Sequence, residues 1–206
     1  MGLLPLLLKD PVIFLSLAVP LGFSVIAHEV AHGWVALLFG DDTAKQSGRL
    51  SLNPMLHLDP VGTIALFIVG FGWAKPVPVN YNKLGNSRLA IISVSLAGCV
   101  ANILIATIAI FLLQFQRFGA QNSFALVLTL VARVNMLLGA LNLIPIPPLD
   151  GSKVLMAFLP YEAQQKLARL EPYGFFILII LIFTGVLTPV IVLIQKLILA
   201  LIGILF

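Results

Sequence analysis

Long apolar stretches, separated by short polar loops, set the pattern of this chain of 206 residues. A helix needs roughly 20 apolar residues to cross the hydrocarbon core of a bilayer. The pattern predicts an all-α polytopic membrane protein with about five to six transmembrane helices. The long stretches are residues 11–39, 89–113, 124–144, 174–187 and 189–206. The last two are divided at Pro189, because proline ends a helix.

A shorter apolar stretch, residues 61–73, lies between the first two predicted spans. It is too short for a comfortable crossing and contains three glycines, which favours a re-entrant segment. On either side of it, residues 49–53 alternate polar with apolar side chains, and residues 76–81 begin by alternating proline with valine. Both patterns predict short strands, the second at a sheet edge because proline cannot donate to a ladder.

The basic side chains bear on whether residues 61–73 cross the membrane. If the segment is re-entrant, eight loop cations share one side and two lie opposite; if it crosses, three oppose seven. The eight are Lys45, Arg49, Lys75, Lys83, Arg88, Lys153, Lys166 and Arg169, and the two are Lys9 and Arg117. The positive-inside rule favours the more uneven division. We therefore expect an integral multi-pass protein of the cell membrane with residues 41–88 on the cytosolic side.

Composition supports a single membrane domain. The chain is 60% hydrophobic and 10% charged, where a soluble domain has about 25% charged residues. No polar stretch is long enough to fold alone, so we expect one domain over residues 1–206, with a core at 11–151 and C-terminal helices at 172–206. A single cysteine, Cys99, excludes an internal disulfide framework. No basic run with interleaved aromatics occurs, which argues against a nucleic-acid partner.

Two histidines and a glutamate interrupt the first apolar stretch, in the order His28-Glu29-Val30-Ala31-His32. On a helix, positions i and i+4 share one face, so His28 and His32 could bind one metal ion. Glu29 stands beside them, where a carboxylate could take a proton from water at the metal. Ionisable groups at membrane depth are costly and usually functional. The alternative is a pair of buried histidines satisfied by neighbouring groups.

A hydrolytic zinc site commonly needs a third protein ligand, and Asp150 is the best candidate. It follows residues 142–149, which contain three prolines in four positions. Such a run breaks a membrane helix, which is tolerated at membrane depth only beside protein or a wet cavity. The break could aim the Asp150 carboxylate back toward the histidines. On local sequence alone, Asp150 could instead cap the helix that follows.

These motifs resemble the site-2 protease family of intramembrane metalloproteases. The similarity rests on His28 to His32, on residues 142–151 reading NLIPIPPLDG, and on residues 95–102 reading SLAGCVAN. Residues 48–54 and 59–63 resemble the compact members that lack a PDZ domain, and the likeness covers most of residues 27–151. The family usually has proline where this chain has Cys99, a difference that concerns helix geometry rather than chemistry.

The resemblance implies a zinc endopeptidase with one Zn²⁺ per chain, bound by His28, His32 and Asp150, with Glu29 as general base. It also implies that Asn102 lies near the site, donating to the oxyanion or holding substrate. The expected partners are a membrane-spanning protein substrate and the lipid bilayer; an oligomer or a regulatory partner is left open. A membrane zinc carrier and a catalytically silent scaffold are the alternatives to a protease.

Besides Asn102, the further candidates for the site are Asn142, Val77 and Val79. Asn142 and Asn135 lie seven positions apart, and of the two we expect Asn142 to be the site neighbour and Asn135 to be structural. Asn102 could also serve only as polar glue between helices. The backbone of Val77 and Val79 could pair with an extended substrate by strand addition. We expect the active site nearer the cytosolic side, because water must reach it through a polar cavity that opens to that side.

Overall fold

The computed structural model describes residues 4–69, 72–85, 87–115 and 123–204, and within them it is helical with no strand. The all-α class is therefore confirmed. The helices are α1 Leu4–Lys9, α2 Pro11–Leu38, α3 Thr43–Gln46, α4 Pro60–Val69, α5 Arg88–Gln114, α6 Ser123–Asn142, α7 Asp150–Met156, α8 Tyr161–Phe183 and α9 Thr188–Ile204. Single 3₁₀ turns are formed by Pro54–Leu56 and Tyr81–Leu84.

Three of the described helices are long and apolar enough to cross a membrane: α2, α5 and α6 over Phe124–Asn142. Their bounds agree closely with the first, second and third predicted spans. Helices α8 and α9 pass the same test only as a pair, bent by 88° where one ends and the next begins. The described residues thus contain three candidate spans, or four when the bent pair counts as one. The predicted break before Pro189 coincides with this bend.

Helix α5 packs against both α2 and α6, which also contact each other, and small side chains allow the close approach. Ala106 of α5 and Ala140 of α6 have no exposed surface, and Ile198 and Ile202 of α9 pack into the same cluster. Small residues at helix contacts are the usual means by which membrane helices associate, since lipid provides no hydrophobic drive. This arrangement brings the middle of α5 against the second half of α2.

The short apolar stretch forms α4, ten residues long, which spans about 15 Å at 1.5 Å per residue. Its flanks lie side by side. Leu58 and Ala74 form an isolated antiparallel bridge, and the Lys75 amide donates to the His57 carbonyl at 2.8 Å. The chain that leaves the first polar loop at residue 58 therefore returns to the same place by residue 74.

Neither predicted strand is present in the described chain. Residues 75–80, which we call the strap, pair with no neighbouring strand, because two of their positions are prolines and two of their amides donate to carboxylates. Pro76 and Pro78 have no N–H, the Val77 amide donates to Glu29 at 2.9 Å, and the Asn80 amide donates to Asp41 at 2.6 Å. Residues 49–53 likewise form no ladder. Arg49 instead donates from Nη2 to the Lys75 carbonyl at 2.7 Å.

Candidate metal centre

Helix α2 presents His28 and His32 on one face, as the i, i+4 spacing requires. Both rings are buried, and their Nε2 atoms lie 3.1 Å apart. The chain reverses after α6 through the proline-rich residues 143–149 and enters α7 at Asp150. The Oδ2 atom of Asp150 lies 3.0 Å from Nε2 of His28 and 3.1 Å from Nε2 of His32. Three potential ligand atoms thus converge.

A close backbone contact fixes the start of α7. A Cβ on Gly151 would lie 2.6 Å from the Ile144 carbonyl oxygen, closer than real side chains come, so only glycine allows this turn to close. Leu149 occupies the N-cap position of α7 and makes no side-chain cap. Asp150 is the first helical residue and its Oδ2 faces the histidines. The capping alternative for Asp150 is therefore not what the structure shows.

Both imidazoles are held from behind at Nδ1. Nδ1 of His28 lies 2.6 Å from Oδ1 of Asn102, and Nδ1 of His32 lies 2.6 Å from the Val94 carbonyl oxygen. Both partners are acceptors, so each ring carries its proton on Nδ1. The lone pair of each Nε2 then faces Asp150, which is the form of histidine that binds a metal.

The residues present fit a zinc ion. Oδ2 of Asp150 is buried and has no hydrogen-bond partner among the described residues, although it lies beside two unprotonated ring nitrogens. Three acceptors at this spacing repel one another unless a cation lies among them. Two nitrogens and one carboxylate oxygen are a protein donor set typical of catalytic zinc, whose fourth position is taken by water or substrate. The ligand atoms of His28, His32 and Asp150 all lie within 4.8 Å of one another.

Gly98 of α5 lines the same space. A Cβ at this position would lie 2.5 Å from Nε2 of both His28 and His32. Any side chain here would therefore occupy the volume in front of the ring nitrogens. Sequence reasoning did not single out Gly98 as a site residue. The only signal was a glycine one helical turn before Asn102, on the same face of an apolar helix.

Glu29 is half-buried and points to the strap. Its Oε2 accepts the hydrogen bond from the Val77 amide, while Oε1 has no partner in the part of the chain that is described. Val77 itself is buried. The Val79 amide has no hydrogen bond among the described residues, which leaves it as the unused donor of the strap.

The three asparagines have different partners. Asn102 and Asn135 are fully buried, and Asn102 Nδ2 donates to Asn135 Oδ1 at 2.7 Å and to the Ser24 carbonyl at 3.3 Å. Both amide hydrogens of Asn102 are thus used, which leaves none for an oxyanion. The amide of Asn142 donates to the Leu138 carbonyl of its own helix at 3.1 Å. Asn135, expected to be structural only, is the one that reaches the histidine through Asn102.

A buried carboxylate holds the far end of the strap. Asp41 is fully buried and accepts from the Thr43 backbone at 3.0 Å, from the Thr43 hydroxyl and from the Asn80 amide. Burial alone raises the pKa of Asp41, but these hydrogen bonds and the nearby Lys83 ammonium lower it overall. The carboxylate is therefore ionised at neutral pH and fixes the strap beside the end of α2.

Comparison with known proteins points to one family. The model of Peptidase family M50 matches residues 115–185, a stretch that includes Asp150. The chain is 41% identical over 175 residues to the Bacillus subtilis protein named "Putative zinc metalloprotease YwhC", covering 82% of this chain and 80% of that protein.

More distant relatives carry similar names. "Putative zinc metalloprotease Rip2" of Mycolicibacterium smegmatis is 31% identical, over 78% of this chain and 64% of its own length. "Zinc metalloprotease MJ0392" of Methanocaldococcus jannaschii is 28% identical, over 74% of this chain and 37% of its own length. No solved structure matches the chain.

Proposed function

Because this chain belongs to peptidase family M50, the site-2 protease family, and is a zinc metalloendopeptidase, we propose that it cleaves peptide bonds within membrane-spanning segments of other proteins. The observation that carries this proposal is the position of the site. His28 and His32 lie on α2, an apolar candidate span, and Oδ2 of Asp150 meets them without a partner of its own.

We assign His28, His32 and Asp150 as the protein ligands of one zinc ion. A zinc ion held by these residues would supply Lewis-acid chemistry, with a polarised scissile carbonyl and a pKa of water lowered toward ~7. Lys153 Nζ lies 4.0 Å from Oδ1 of Asp150, so the second carboxylate oxygen faces a cation while Oδ2 remains for the metal. Asn102 and Val94 hold the two rings so that Nε2 faces inward.

Glu29 is the proposed general base. Its Oε2 is held by the Val77 amide, which leaves Oε1 to accept a proton from the attacking water. The same carboxyl group then passes that proton to the leaving amine as the peptide bond breaks. The Val77 amide limits the rotation of the Glu29 side chain, so Oε1 keeps its position for both transfers.

A helical substrate hides its carbonyl groups in internal hydrogen bonds and must unwind before it can be cut. The strap supports a role in holding the unwound segment, because the Val79 amide has no partner and could pair with an extended chain. Val77 cannot do the same while it donates to Glu29. The assignment of Val79 as a substrate contact therefore stands as a proposal, and Val77 acts on Glu29 instead.

We also propose that α4 belongs to a re-entrant segment and that the active site opens toward the cytosolic side of the cell membrane. The bridge between Leu58 and Ala74 and the short length of α4 support this topology, as does the distribution of basic residues. Labelling of Lys45→Cys and Lys83→Cys variants in a Cys99→Ser background should reach both positions from the cytosol. Labelling from opposite sides would overturn the topology.

The proposed activity is tested by Glu29→Gln. A single-span polypeptide with a helix-breaking Gly-Pro centre, reconstituted with the protease in vesicles, should be cut by the wild type and not by the variant. The variant should keep its zinc, because Glu29 is not a ligand. Cleavage at the wild-type rate would contradict the role of Glu29. A zinc carrier would lack cleavage in both proteins, and so would a silent scaffold.

A further inference from the structure

A chain of buried polar groups extends behind His28 into the next two helices. We propose that Asn135 of α6 is a positioning residue for His28: acting through Asn102, it fixes the tautomer and orientation of that imidazole. This inference rests on the proposed zinc site. Ser24, Asn102 and Asn135 all have 0% exposed surface, so the protein itself provides the hydrogen-bond partners of each member of the chain.

The hydrogen bonds form one connected path. His28 Nδ1 and Asn102 Oδ1 are 2.6 Å apart, and Asn102 Nδ2 donates to Asn135 Oδ1 at 2.7 Å. Asn135 Nδ2 donates to the Ser24 hydroxyl at 2.7 Å and to the Val131 carbonyl at 2.8 Å. The Ser24 hydroxyl in turn donates to the Pro20 carbonyl at 2.6 Å.

Backbone carbonyls set the direction of this path, because a carbonyl can only accept. The Val131 carbonyl requires the amino end of the Asn135 amide to face it, so Oδ1 of Asn135 must point to Asn102. Asn102 then has to turn its own amino group toward Asn135 and the Ser24 carbonyl. Its oxygen is left for His28, and the proton of that ring must lie on Nδ1.

The orientation of the Asn102 amide decides which nitrogen of the His28 ring carries the proton. A rotated Asn102 amide would turn its amino group toward His28 Nδ1, and the ring proton would move to Nε2, where zinc must bind. His32 needs no such chain, since the Val94 carbonyl accepts from its Nδ1 directly. A buried side chain on α6, with no contact to the metal, therefore decides whether one of the two histidines is ready to bind.

The test compares zinc affinity by chelator competition in Asn135→Leu, which removes the acceptor for Asn102. We expect zinc to bind at least about tenfold more weakly, as for other residues that hold a ligand in place. Thr129→Val is the matched control, because the Thr129 hydroxyl on α6 donates to the Ala125 carbonyl of its own helix and has no other partner among the described residues. It should bind zinc as the wild type does. Asn135→Asp, neutral in this buried place, keeps an acceptor and should restore most of the affinity.

Nitrogen-15 NMR of labelled histidine in the metal-free protein shows which ring nitrogen of His28 carries the proton. A purely structural role of Asn135 would leave that tautomer unchanged. The His28 ring should be protonated at Nδ1 in the wild type and in Thr129→Val, and should show both tautomers in Asn135→Leu. Unchanged zinc affinity and tautomer in Asn135→Leu would overturn the inference.

Two further variants complete the design. If His28→Ala keeps its zinc, the proposed ligand set is wrong, whatever Asn135 does. If Asn135→Leu does not fold, Asn135→Ala is compared in the wild-type and Asn102→Asp backgrounds. Asp at position 102 accepts from His28 with either oxygen, so zinc affinity there should no longer depend on residue 135. An equal loss in both backgrounds would also overturn the inference.

Discussion

The backbone amide of Val77 donates a 2.9 Å hydrogen bond to Oε2 of Glu29, across 48 residues of sequence. One carboxylate thus holds the strap in place and also serves as the proposed base. The strap is further attached at Arg49, which donates to the Lys75 carbonyl, and at Asp41, which accepts from the Asn80 amide. Because Glu29 both anchors the strap and is the proposed base, substitutions in the strap should alter catalysis without changing zinc binding.

Val77→Pro removes the donor to Glu29. A hydrogen bond to a charged group contributes about 1.5–3 kcal/mol, and without it the carboxylate is free to turn away from the attacking water. We expect kcat to fall by roughly tenfold or more, the equivalent of ~1.4 kcal/mol, on a membrane-spanning substrate and on a soluble extended peptide alike. Zinc content should not change. Wild-type kcat on both substrates would mean that this hydrogen bond does not serve the base.

Val79→Pro tests the strap as a substrate contact. The Val79 amide is the unused donor of this segment, so its loss should weaken the hold on an unwound substrate helix and slow cleavage of the membrane-spanning polypeptide. The soluble extended peptide should suffer less, because it needs no help to stay unwound. Equal loss on both would indicate damage to the active site, and no loss on either would exclude the strap as the clamp.

Metal analysis of the purified protein should give about one zinc per chain, as expected for a single site. Asp150→Asn should reduce this content strongly, because an amide oxygen replaces the charged ligand between two histidines. Asn142→Asp, at the last residue of α6, introduces a carboxylate without removing a proposed ligand and should leave zinc content near one. Full zinc occupancy in Asp150→Asn would rule out this carboxylate as a ligand.

Gly98→Ala should abolish zinc binding, because the new Cβ would lie 2.5 Å from Nε2 of both histidines. Gly22→Ala is the control, since a Cβ at Gly22 meets nothing within 4 Å and replacing a helical glycine favours the helix by up to ~1 kcal/mol. Zinc content and thermal unfolding of the detergent-solubilised proteins distinguish the two. A Gly98→Ala protein with normal zinc would show that α2 and α5 can separate at this point.

Asp41→Asn should lower the stability of the folded protein at neutral pH. It should also reduce the further loss of stability that acid causes. The folded-state pKa of Asp41 lies below its ordinary value of 3.8, so protonation favours the unfolded state. Its contribution is present above that value and is lost as the pH falls through the folded-state pKa. We expect the substitution to cost about 1–3 kcal/mol at neutral pH and to flatten the loss of stability below pH 4. Thermal unfolding measured from pH 7 to pH 3 would check this, and parallel curves would contradict it.

The residues that could be predicted are those fixed by local geometry. The i, i+4 spacing brings His28 and His32 to one face whatever the rest of the fold does, and the proline run before Asp150 marks where the chain must turn. The three long apolar runs are likewise local, because each forms its own backbone hydrogen bonds. A single sequence therefore contained the outline of the bundle and its most polar residues.

What could not be predicted depends on which helix faces meet. Asn135 and Ser24 are 111 residues apart, and no periodicity indicates that they touch. The seven-residue spacing between Asn135 and Asn142 was compatible with either of them facing the site, and it could not show that Asn135 accepts from Asn102. The strand predicted at residues 76–81 is absent for a similar reason. Only the tertiary structure shows that Glu29 and Asp41 accept from the Val77 and Asn80 amides.

The proposed ligand set joins α2 to α7, elements that are more than 100 residues apart in the sequence. A chain that has entered the membrane only as far as α5 offers two histidines and no Asp150, so it cannot complete the proposed coordination. Where a site exists only in the folded protein, the free energy of metal binding adds to that of folding. Biogenesis would then protect the cell: a half-inserted nascent chain holds no active peptidase, and zinc uptake would report that α6 and the turn after it have docked.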